Sequence, residues 1–362
     1  MTTRTQMHVQ MDNLAETTLV TDPLPEPQAG EAILEVERFG VTANNVTYGV
    51  VGHQIGYWKF FPVAEEGRGI IPVWGFGKVV QSKTDALAVG ERLYGYFPMA
   101  THMTIKPKRK GAMVFDEAEH RAALPPAYNA YQLTDNDPDT LKARGDARAV
   151  LFPLFITSYI IADWLAEAQN FGAEQVVVTS ASSKTGFGTG LMLGRQDHTP
   201  KRIGVTSPGN RAFTEALGAF DQVIAYDEIT SLPNVPTAFV DMSGNASVIT
   251  ALHQHLGDNV KTSAIVGATH WEAPRQREPL PGAKPTMFFA PGQIQLRDQQ
   301  LGRGVLMGRA LEAWADASDA IADHFSYEMH AGPEAVEAIW KQTVAGKVSP
   351  TTGVLATLVK GA

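Results

Sequence analysis

The pattern of apolar and polar positions changes near residue 150. Before this point, short apolar runs are separated by glycine and proline, as in "IIPVWGFGKVVQSKTDALAVGERLYGYFP", residues 70–98. Runs with this spacing predict short strands joined by turns, which suits a small barrel or folded sheet. The segment from about 126 to 150 is polar and turn-rich, and it predicts a linker that ends in a helix.

From about residue 150 onward, apolar strands alternate with helical patterns. The predicted strands are "EQVVVTS", "KRIGVTS", "DQVIAYD", "TAFVDMSG" and "VKTSAIVGATH". This alternation is typical of an α/β fold with a doubly wound parallel sheet, covered by helices on both faces. The final stretch, "GPEAVEAIWKQTVAGKVSPTTGVLATLV", predicts a helix, a turn and a strand. The length favours two domains.

Composition excludes several classes of protein and of site. The 362 residues carry a formal net charge of -8, which argues against a general binder of nucleic acid or of anionic membranes. The chain has no cysteine, so disulfides, thiol nucleophiles and cysteine-based zinc sites are excluded. The N-terminus lacks an apolar signal core, and the longest apolar stretch contains Pro153 and reaches Asp163 too soon to span a bilayer. We therefore expect a cytoplasmic protein with no membrane segment.

The loop "VVVTSASSKTGFGTG", residues 176–190, follows the first strand of the alternating part. In a doubly wound sheet, ligand phosphates lie outside the carboxyl end of this strand, at the N-terminus of the next helix. The positions that match the three glycines of the usual fingerprint are Ser180, Ser182 and Thr185, followed by Gly186 and Gly188. Small hydroxyl residues can replace the first two glycines if the turn avoids positive φ. Lys184 then offers a point charge to a phosphate oxygen, although an ordinary turn with a solvated lysine is the alternative.

The second strand discriminates between cofactors. A site that prefers NAD normally ends this strand with Asp or Glu, which binds the ribose 2′-hydroxyl. The stretch "RIGVTSPGNRAF" has no acid and offers Ser207, Asn210 and Arg211 instead. These groups suit a 2′-phosphate, so NADP(H) is the expected cofactor. A solvated Arg211 in the first turn of a helix is the alternative.

Stretches from both parts of the chain resemble the medium-chain dehydrogenase/reductase superfamily. They are "AILEVERFGVTANNVTYGVVG", "VWGFGKVV", "LAVGERLYGYFP", "RIGVTSPGNRAFTEALGAFDQVIAYDE" and "AVEAIWKQTVAGKVSPTTGVLATL". The resemblance covers nearly the whole chain. It implies a GroES-like β-barrel domain over 1–150 and 310–362, and a Rossmann dinucleotide-binding domain over 151–309.

More narrowly, the chain is similar to a bacterial set of proteins of unknown function that carry a Ser-Ser-Lys-Thr loop. The lack of cysteine points to the zinc-free branch, which is similar to quinone oxidoreductases and enoyl reductases. In that branch NADPH delivers hydride to an activated alkene or carbonyl. The loop departs from the branch, since Ser-Ser-Lys-Thr replaces a small-Gly-Gly-Val-Gly pattern.

The resemblance also implies cofactor contacts. A tyrosine at the place of Tyr226 packs near the adenosine, and Gly267 stands where the backbone approaches the nicotinamide. The full set of expected cofactor-binding residues is Ser180, Ser182, Ser183, Lys184, Thr185, Ser207, Asn210, Arg211, Tyr226, Ser243, Gly267, His270 and Phe289. Phe289 also belongs to the stretch that we expect to form a strand at a dimer edge.

Hydride transfer needs positioning and a donor for the developing oxyanion. The candidate catalytic residues are Asn44, Asn45, Tyr48, Tyr57 and Tyr128. The alternative is a loop that is packed by its own aromatic rings, with asparagines that satisfy turns. His253 and His255 are two positions apart on a predicted helix, so they face apart and are expected at the surface rather than at a metal.

The sequence therefore predicts a zinc-independent, NADPH-dependent oxidoreductase that reduces a small carbonyl-activated alkene, quinone or aromatic carbonyl. We expect a homodimer that binds a small-molecule substrate and neither nucleic acid nor membrane. Two alternatives stay open. One is a lyase or isomerase that uses bound NADP(H) transiently, and the other is a non-catalytic NADPH-binding sensor or partner protein.

Overall fold

The computed structural model describes residues 2–135, 137–267 and 279–360, and the chain divides into two compact units. The first unit comprises Met1–Val150 and Ser326–Ala362, and the second comprises Leu151–Phe325. The first division coincides with the change of pattern near residue 150. The second division lies beyond the predicted boundary at 309/310.

The elements are numbered in chain order. The strands are β1 (Thr3–Gln10), β2 (Asn13–Pro23), β3 (Ala32–Val41), β4 (Arg68–Gly69), β5 (Pro72–Ser82), β6 (Arg92–Pro98), β7 (His102–Ile105), β8 (Pro107–Lys110), β9 (Met113–Asp116), β10 (Ala130–Leu133), β11 (Gln175–Thr179), β12 (Lys201–Thr206), β13 (Gln222–Ala225), β14 (Thr237–Asp241), β15 (Val260–Ile265), β16 (Thr286–Met287), β17 (Ser326–Ala331) and β18 (Thr352–Thr357). The α-helices are α1 (Ala43–Val50), α2 (Gly52–Ile55), α3 (Asp139–Lys142), α4 (Gly145–Val150), α5 (Phe152–Glu167), α6 (Lys184–Leu193), α7 (Arg211–Ala216), α8 (Ala246–Leu256), α9 (Ala290–Leu301), α10 (Val305–Ala320) and α11 (Pro333–Val344). Within the described residues, none of these helices has the length and apolar character to cross a membrane.

The first unit is built from short strands, as its pattern predicts. β1 lies between β2 and β4 in a small sheet, and the larger sheet runs β17-β18-β3-β5-β6-β10-β9-β8, with β7 paired to β3. β3 and β5 approach closely because Gly75 has no side chain, and an added Cβ would lie 2.2 Å from the carbonyl oxygen of Arg38. The C-terminal helix and strand form as predicted, and Trp340 of α11 donates a hydrogen bond of 2.7 Å to the carbonyl of Leu14.

The second unit contains a parallel sheet in the order β13-β12-β11-β14-β15-β16. Counted along this unit, the order is 3-2-1-4-5-6, which is the order of a Rossmann sheet. The five predicted strands and the helices that alternate with them are confirmed. Their continuous apolar runs are buried on both faces of the sheet, as in β11, where every residue is buried. The strand order reverses direction at β11 and β14, and ligands of such sheets bind outside the carboxyl ends at that point.

Helix α10 packs with the second unit, and this moves the division of the chain to 325/326. Its residues Leu306 and Ala310 pack against Ile160 of α5. The ring of Trp314 is fully buried and lies 5.0 Å from the ring of Phe152. The boundary predicted at 309/310 would cut through this helix, because an amphipathic pattern does not tell which sheet a helix covers.

His253 is buried, and its expected place at the surface is therefore wrong. Its Nδ1 lies 2.9 Å from the carbonyl oxygen of Pro281, and its Nε2 lies 3.0 Å from Oγ of Ser263. A carbonyl oxygen only accepts, so Nδ1 donates and Nε2 accepts from the serine hydroxyl. Burial lowers the pKa of His253 and keeps the ring neutral. His255 is half-buried, and its Nε2 donates to the carbonyl of Leu232 at 2.8 Å.

Replacement of Phe239 by alanine tests this packing. Phe239 in β14 is fully buried in the core between the sheet and α8. We expect Phe239→Ala to lower the free energy of unfolding by about 3–5 kcal/mol, since it removes a large apolar side chain and leaves a cavity. Guanidinium denaturation measures this loss. Leu296→Ala is the control, because Leu296 is 44% exposed and should cost less than about 1 kcal/mol. Equal costs for the two variants would contradict the fold.

Candidate functional site

One buried carboxylate ties together the carboxyl ends of the central strands of the second unit. Asp241 ends β14, and its Oδ1 accepts hydrogen bonds from the hydroxyl of Thr179 at the end of β11 and from the backbone N–H (3.1 Å) and hydroxyl (2.6 Å) of Ser243. Its Oδ2 accepts from the N–H of Gly244 at 2.8 Å. Its backbone carbonyl lies 3.3 Å from the N–H of Gly267, after β15. These bonds fix the loops that carry Ser243 and Gly267, two of the expected cofactor residues.

Sequence reasoning did not single out Asp241. The available signal was a lone acid that ends an otherwise apolar strand, in "TAFVD". Such a residue needs hydrogen-bond donors once it is buried.

Ser180 turns the chain sharply as it leaves β11. Its φ is 45°, so the condition stated above for a serine in place of glycine, a turn that avoids positive φ, is not met. Positive φ is costly for a residue with a Cβ, and the surrounding structure must hold it. Tyr226 does so from the residue after β13: its hydroxyl accepts from the Ser180 N–H at 3.1 Å and lies 3.2 Å from Ser180 Oγ. The serine thus makes the turn that a glycine usually makes, with the help of a tyrosine.

Ser182 directs its hydroxyl to the neighbouring strand. Its Oγ accepts from the hydroxyl of Thr206 at 3.0 Å and from Nδ2 of Asn210 at 3.2 Å. The side chain is buried by these contacts. The second glycine position of the fingerprint is therefore filled by a serine that links the loop to the end of β12.

Helix α6 begins directly after this turn. Ser183 caps the helix, and its Oγ accepts from the N–H of Gly186 at 3.1 Å. The close approach between loop and helix occurs at Gly186, where an added Cβ would lie 2.4 Å from the carbonyl oxygen of Ser180. Our assignment of the third glycine position to Thr185 is therefore corrected to Gly186. The sequence spacing alone does not distinguish the two, since the turn contains one more residue than the usual fingerprint.

The start of α6 presents a surplus of positive groups. Within the described residues, the backbone N–H groups of Ser182 and Thr185 have no hydrogen-bond acceptor. Lys184, at the first helical position, is half-buried, and desolvation lowers its pKa to about 8. A cation in this turn opposes the helix dipole. Unpaired N–H groups, the helix dipole and a lysine together favour an anion at this point.

Arg211 begins α7, beside the end of β12. Its Nε donates to Glu215 at 3.0 Å, and its Nη1 donates to Glu228 at 3.0 and 3.3 Å. Its Nη2 has no partner in the described part of the chain. Exposed ion pairs of this kind contribute little, so the guanidinium can turn toward a stronger anion. Ser207 and Asn210 flank the short turn that leads into α7.

The remaining expected cofactor residues are Gly267, Phe289 and His270, and the first two lie in different surroundings. Gly267 needs to be a glycine, because an added Cβ would lie 2.5 Å from the carbonyl of Met242. Phe289 is 39% exposed at the start of α9, and the strand expected around it is confined to Thr286–Met287. His270 lies outside the described residues.

Three of the candidate catalytic residues meet in the first unit. The hydroxyls of Tyr57 and Tyr128 lie 2.8 Å apart, and the ring of Tyr48 lies 4.6 Å from that of Tyr57. The hydroxyl of Tyr48 accepts from Nε1 of Trp74 at 3.2 Å. Burial raises the pKa of each of these tyrosines, so they remain neutral phenols that can donate a hydrogen bond.

The two candidate asparagines have different surroundings. Asn45 is buried; its Oδ1 accepts from the N–H of Thr42 at 2.7 Å, and its Nδ2 donates to the carbonyl of Pro72 at 2.9 Å. These bonds cap the start of α1. Asn45 therefore matches the alternative in which an asparagine satisfies the hydrogen bonds of a turn. Asn44 is half-buried and hydrogen-bonds to the hydroxyl of Tyr48.

Metal ligands do not gather in the described residues. Across 2–135, 137–267 and 279–360, no three His, Asp or Glu side chains come together in a way that could hold a metal ion.

Solved structures with this fold include several reductases. CurA from Vibrio vulnificus in complex with NADPH aligns with a TM-score of 0.63 and 13% identity, over 98% of each chain. The complex of Etr1p with NADP and crotonyl-CoA aligns with a TM-score of 0.62 and 13% identity, over 99% of this chain and all of that one. The quinone oxidoreductase from Coxiella burnetii gives 0.54 and 13%, over 98% of this chain and 99% of that one. The predicted fold class, an α/β fold with a doubly wound parallel sheet and a further β-sheet unit, is shared with these structures and is thereby confirmed.

Comparison of the sequence, unlike that of the fold, matches a family profile. No curated protein matches this sequence. The profile of one family, described as "protein of unknown function (DUF2855)", matches residues 39–349. Because this match spans far more than half of the chain, the protein belongs to the DUF2855 family.

Proposed function

We propose that the protein is a zinc-independent, NADPH-dependent oxidoreductase that reduces a small carbonyl-activated alkene, quinone or aromatic carbonyl. One observation carries the proposal: the N–H groups of Ser182 and Thr185 have no acceptor among the described residues, and they flank Lys184 at the start of α6. This place lies outside the carboxyl end of the first strand of a Rossmann sheet, where dinucleotide phosphates bind. CurA and Etr1p, which share the fold, were solved with NADPH and NADP.

The residues present fit such a dinucleotide. Lys184 and the two N–H groups would hold the pyrophosphate, and Nη2 of Arg211 with Asn210 would hold the 2′-phosphate. Tyr226 would lie beside the adenosine. When bound, NADPH supplies the hydride, and the protein supplies binding and orientation.

The tyrosines of the first unit are suited to a carbonyl substrate. Reduction places negative charge on the carbonyl oxygen of the substrate, and a neutral phenol can stabilise that charge by donating a hydrogen bond. The hydroxyls of Tyr57 and Tyr128 hydrogen-bond to each other, which leaves one of their two protons to donate to the oxygen of the substrate. Asn44 orients the hydroxyl of Tyr48, whereas Asn45 holds the backbone of the same loop.

Assembly as a homodimer is part of the proposal. It is supported by two exposed apolar side chains, Met287 (56%) on the edge strand β16 and Phe289 (39%) just before α9. Exposed apolar residues at a sheet edge are suited to pairing with a second copy.

Fluorescence titration of the purified protein with NADPH, and separately with NADH, tests the cofactor. We expect Lys184→Ala to weaken the binding of both nucleotides by about 10–100-fold, since it removes a charge-assisted hydrogen bond to the pyrophosphate. Arg211→Ala should weaken only NADPH, because NADH lacks the 2′-phosphate. Lys201→Ala is the matched control, since Lys201 is an exposed lysine at the opposite end of β12. If the wild type binds neither nucleotide, the proposal is wrong.

The pH dependence of NADPH binding tests the role of Lys184. Its pKa of about 8 means that the free protein loses this charge as the pH rises through 8, whereas a bound phosphate raises the pKa and retains the proton. Affinity for NADPH should therefore be highest below pH 8 and fall by about tenfold between pH 7 and pH 9. Lys184→Arg stays charged over this range and should give a flat profile. The same fall in wild type and Lys184→Arg would contradict the role of the lysine.

A further inference from the structure

Tyr96 places an unpartnered hydroxyl in the core of the first unit. The residue lies on β6 and is fully buried, and its hydroxyl has no hydrogen-bond partner in the part of the chain that the structure describes. Its ring lies 4.7 Å from that of Tyr128, 5.2 Å from that of Trp74 and 5.3 Å from that of Phe60. A buried polar group without a partner is destabilising, so its presence needs a reason.

The neighbouring hydrogen-bonded pair, Tyr57 and Tyr128, also has one hydroxyl proton that it does not use. Tyr57 and Tyr128 together carry two hydroxyl protons, and the bond between their oxygens uses one of them. The second proton has no acceptor among the described residues. The pair and Tyr96 therefore hold two phenolic protons that the protein itself leaves unused.

The surroundings of these donors are aromatic and carry no net charge. Tyr48 and Trp74 pack against Tyr96 at 5.7 and 5.2 Å between ring centroids. The nearby cation, Arg121, is buried and lies 3.2 Å from the carboxylate of Asp116, so the two charges offset each other. Flat aromatic rings favour a flat apolar ligand, and a site without net charge favours a neutral one.

We infer that the Tyr57–Tyr128 pair and Tyr96 form a carbonyl-binding site for a neutral aromatic ketone or quinone. The carbonyl oxygen of such a ligand accepts hydrogen bonds and carries no proton of its own. It therefore supplies the acceptor that the two unused phenolic protons need. The binding of this ligand does not depend on the proposed function. Only the statement that the ligand is the substrate rests on it. It adds Tyr96 to the site and selects the aromatic carbonyl from the wider group of proposed substrates.

Acetophenone and ethylbenzene form a matched pair of probes, because they differ in a carbonyl in place of a methylene group. Binding of each to the nucleotide-free full-length protein is measured by saturation-transfer NMR. We expect acetophenone to bind about tenfold more tightly than ethylbenzene, which is about 1.4 kcal/mol, since only its oxygen accepts hydrogen bonds from the phenols. Equal affinities, or no detectable binding of acetophenone, would overturn the inference.

Substitution of tyrosine by phenylalanine tests which hydroxyl groups cause the preference for acetophenone over ethylbenzene. Tyr96→Phe, and the double variant Tyr57→Phe/Tyr128→Phe, should each reduce the preference for acetophenone to about threefold or less, because each removes one unused phenolic proton and leaves the rings. Tyr94→Phe is the control: Tyr94 is also buried and packs on Trp74, but its hydroxyl already donates to the carbonyl of Arg148. This variant should keep the full preference. If Tyr96→Phe and the double variant Tyr57→Phe/Tyr128→Phe both keep it as well, the assigned site is wrong.

The same experiment separates this inference from the proposed function. It contains no nucleotide, so a preference for acetophenone stands even if NADPH fails to bind. Conversely, tight NADPH binding without a preference for the ketone would leave the reductase proposal intact and remove the carbonyl site from these tyrosines.

Discussion

The geometry of the candidate nucleotide site depends on one buried carboxylate. Asp241 has no exposed surface, and an unpaired charge in such a place would be strongly unfavourable. It is satisfied by the hydroxyl of Thr179, at the end of one other strand, and by donors of its own loop. Because the same bonds that stabilise the charge also align the strand ends, the loops that follow β11 and β14 have little freedom. The loop that begins at Ser180 is one of them.

That constraint explains how serines occupy places where glycines are usual. Ser180 adopts a left-handed conformation and is held there by Tyr226, and Ser182 is bonded to the end of β12. The one position where a side chain cannot be accommodated is Gly186, and it remains a glycine. The loop therefore turns sharply into α6 although most of the glycines of the fingerprint are replaced. The lysine at its end supplies charge that a glycine loop lacks.

Much of the fold follows from the sequence, because periodic apolar patterns report which faces are buried. Buried strands that alternate with helices were enough to predict the parallel sheet and the fold class. The misjudged features depend on contacts from distant parts of the chain: His253 is buried because Pro281 and Ser263 satisfy both of its ring nitrogens. Tyr96 lies in an ordinary strand pattern and carries no signal of its own. Its role as a candidate hydrogen-bond donor becomes visible only in the fold, which places Tyr128 beside it.

The central claim is that the backbone at the start of α6 holds the phosphates of NADPH. Hydrogen–deuterium exchange of the peptide that covers residues 180–187, with and without saturating NADPH, tests it most directly, because an amide that donates to a bound ligand is protected from exchange. The account predicts slower exchange at Ser182 and Thr185 in the presence of NADPH, and no change in the hairpin of β8 and β9. Unchanged exchange across residues 180–187 at saturating NADPH would contradict it.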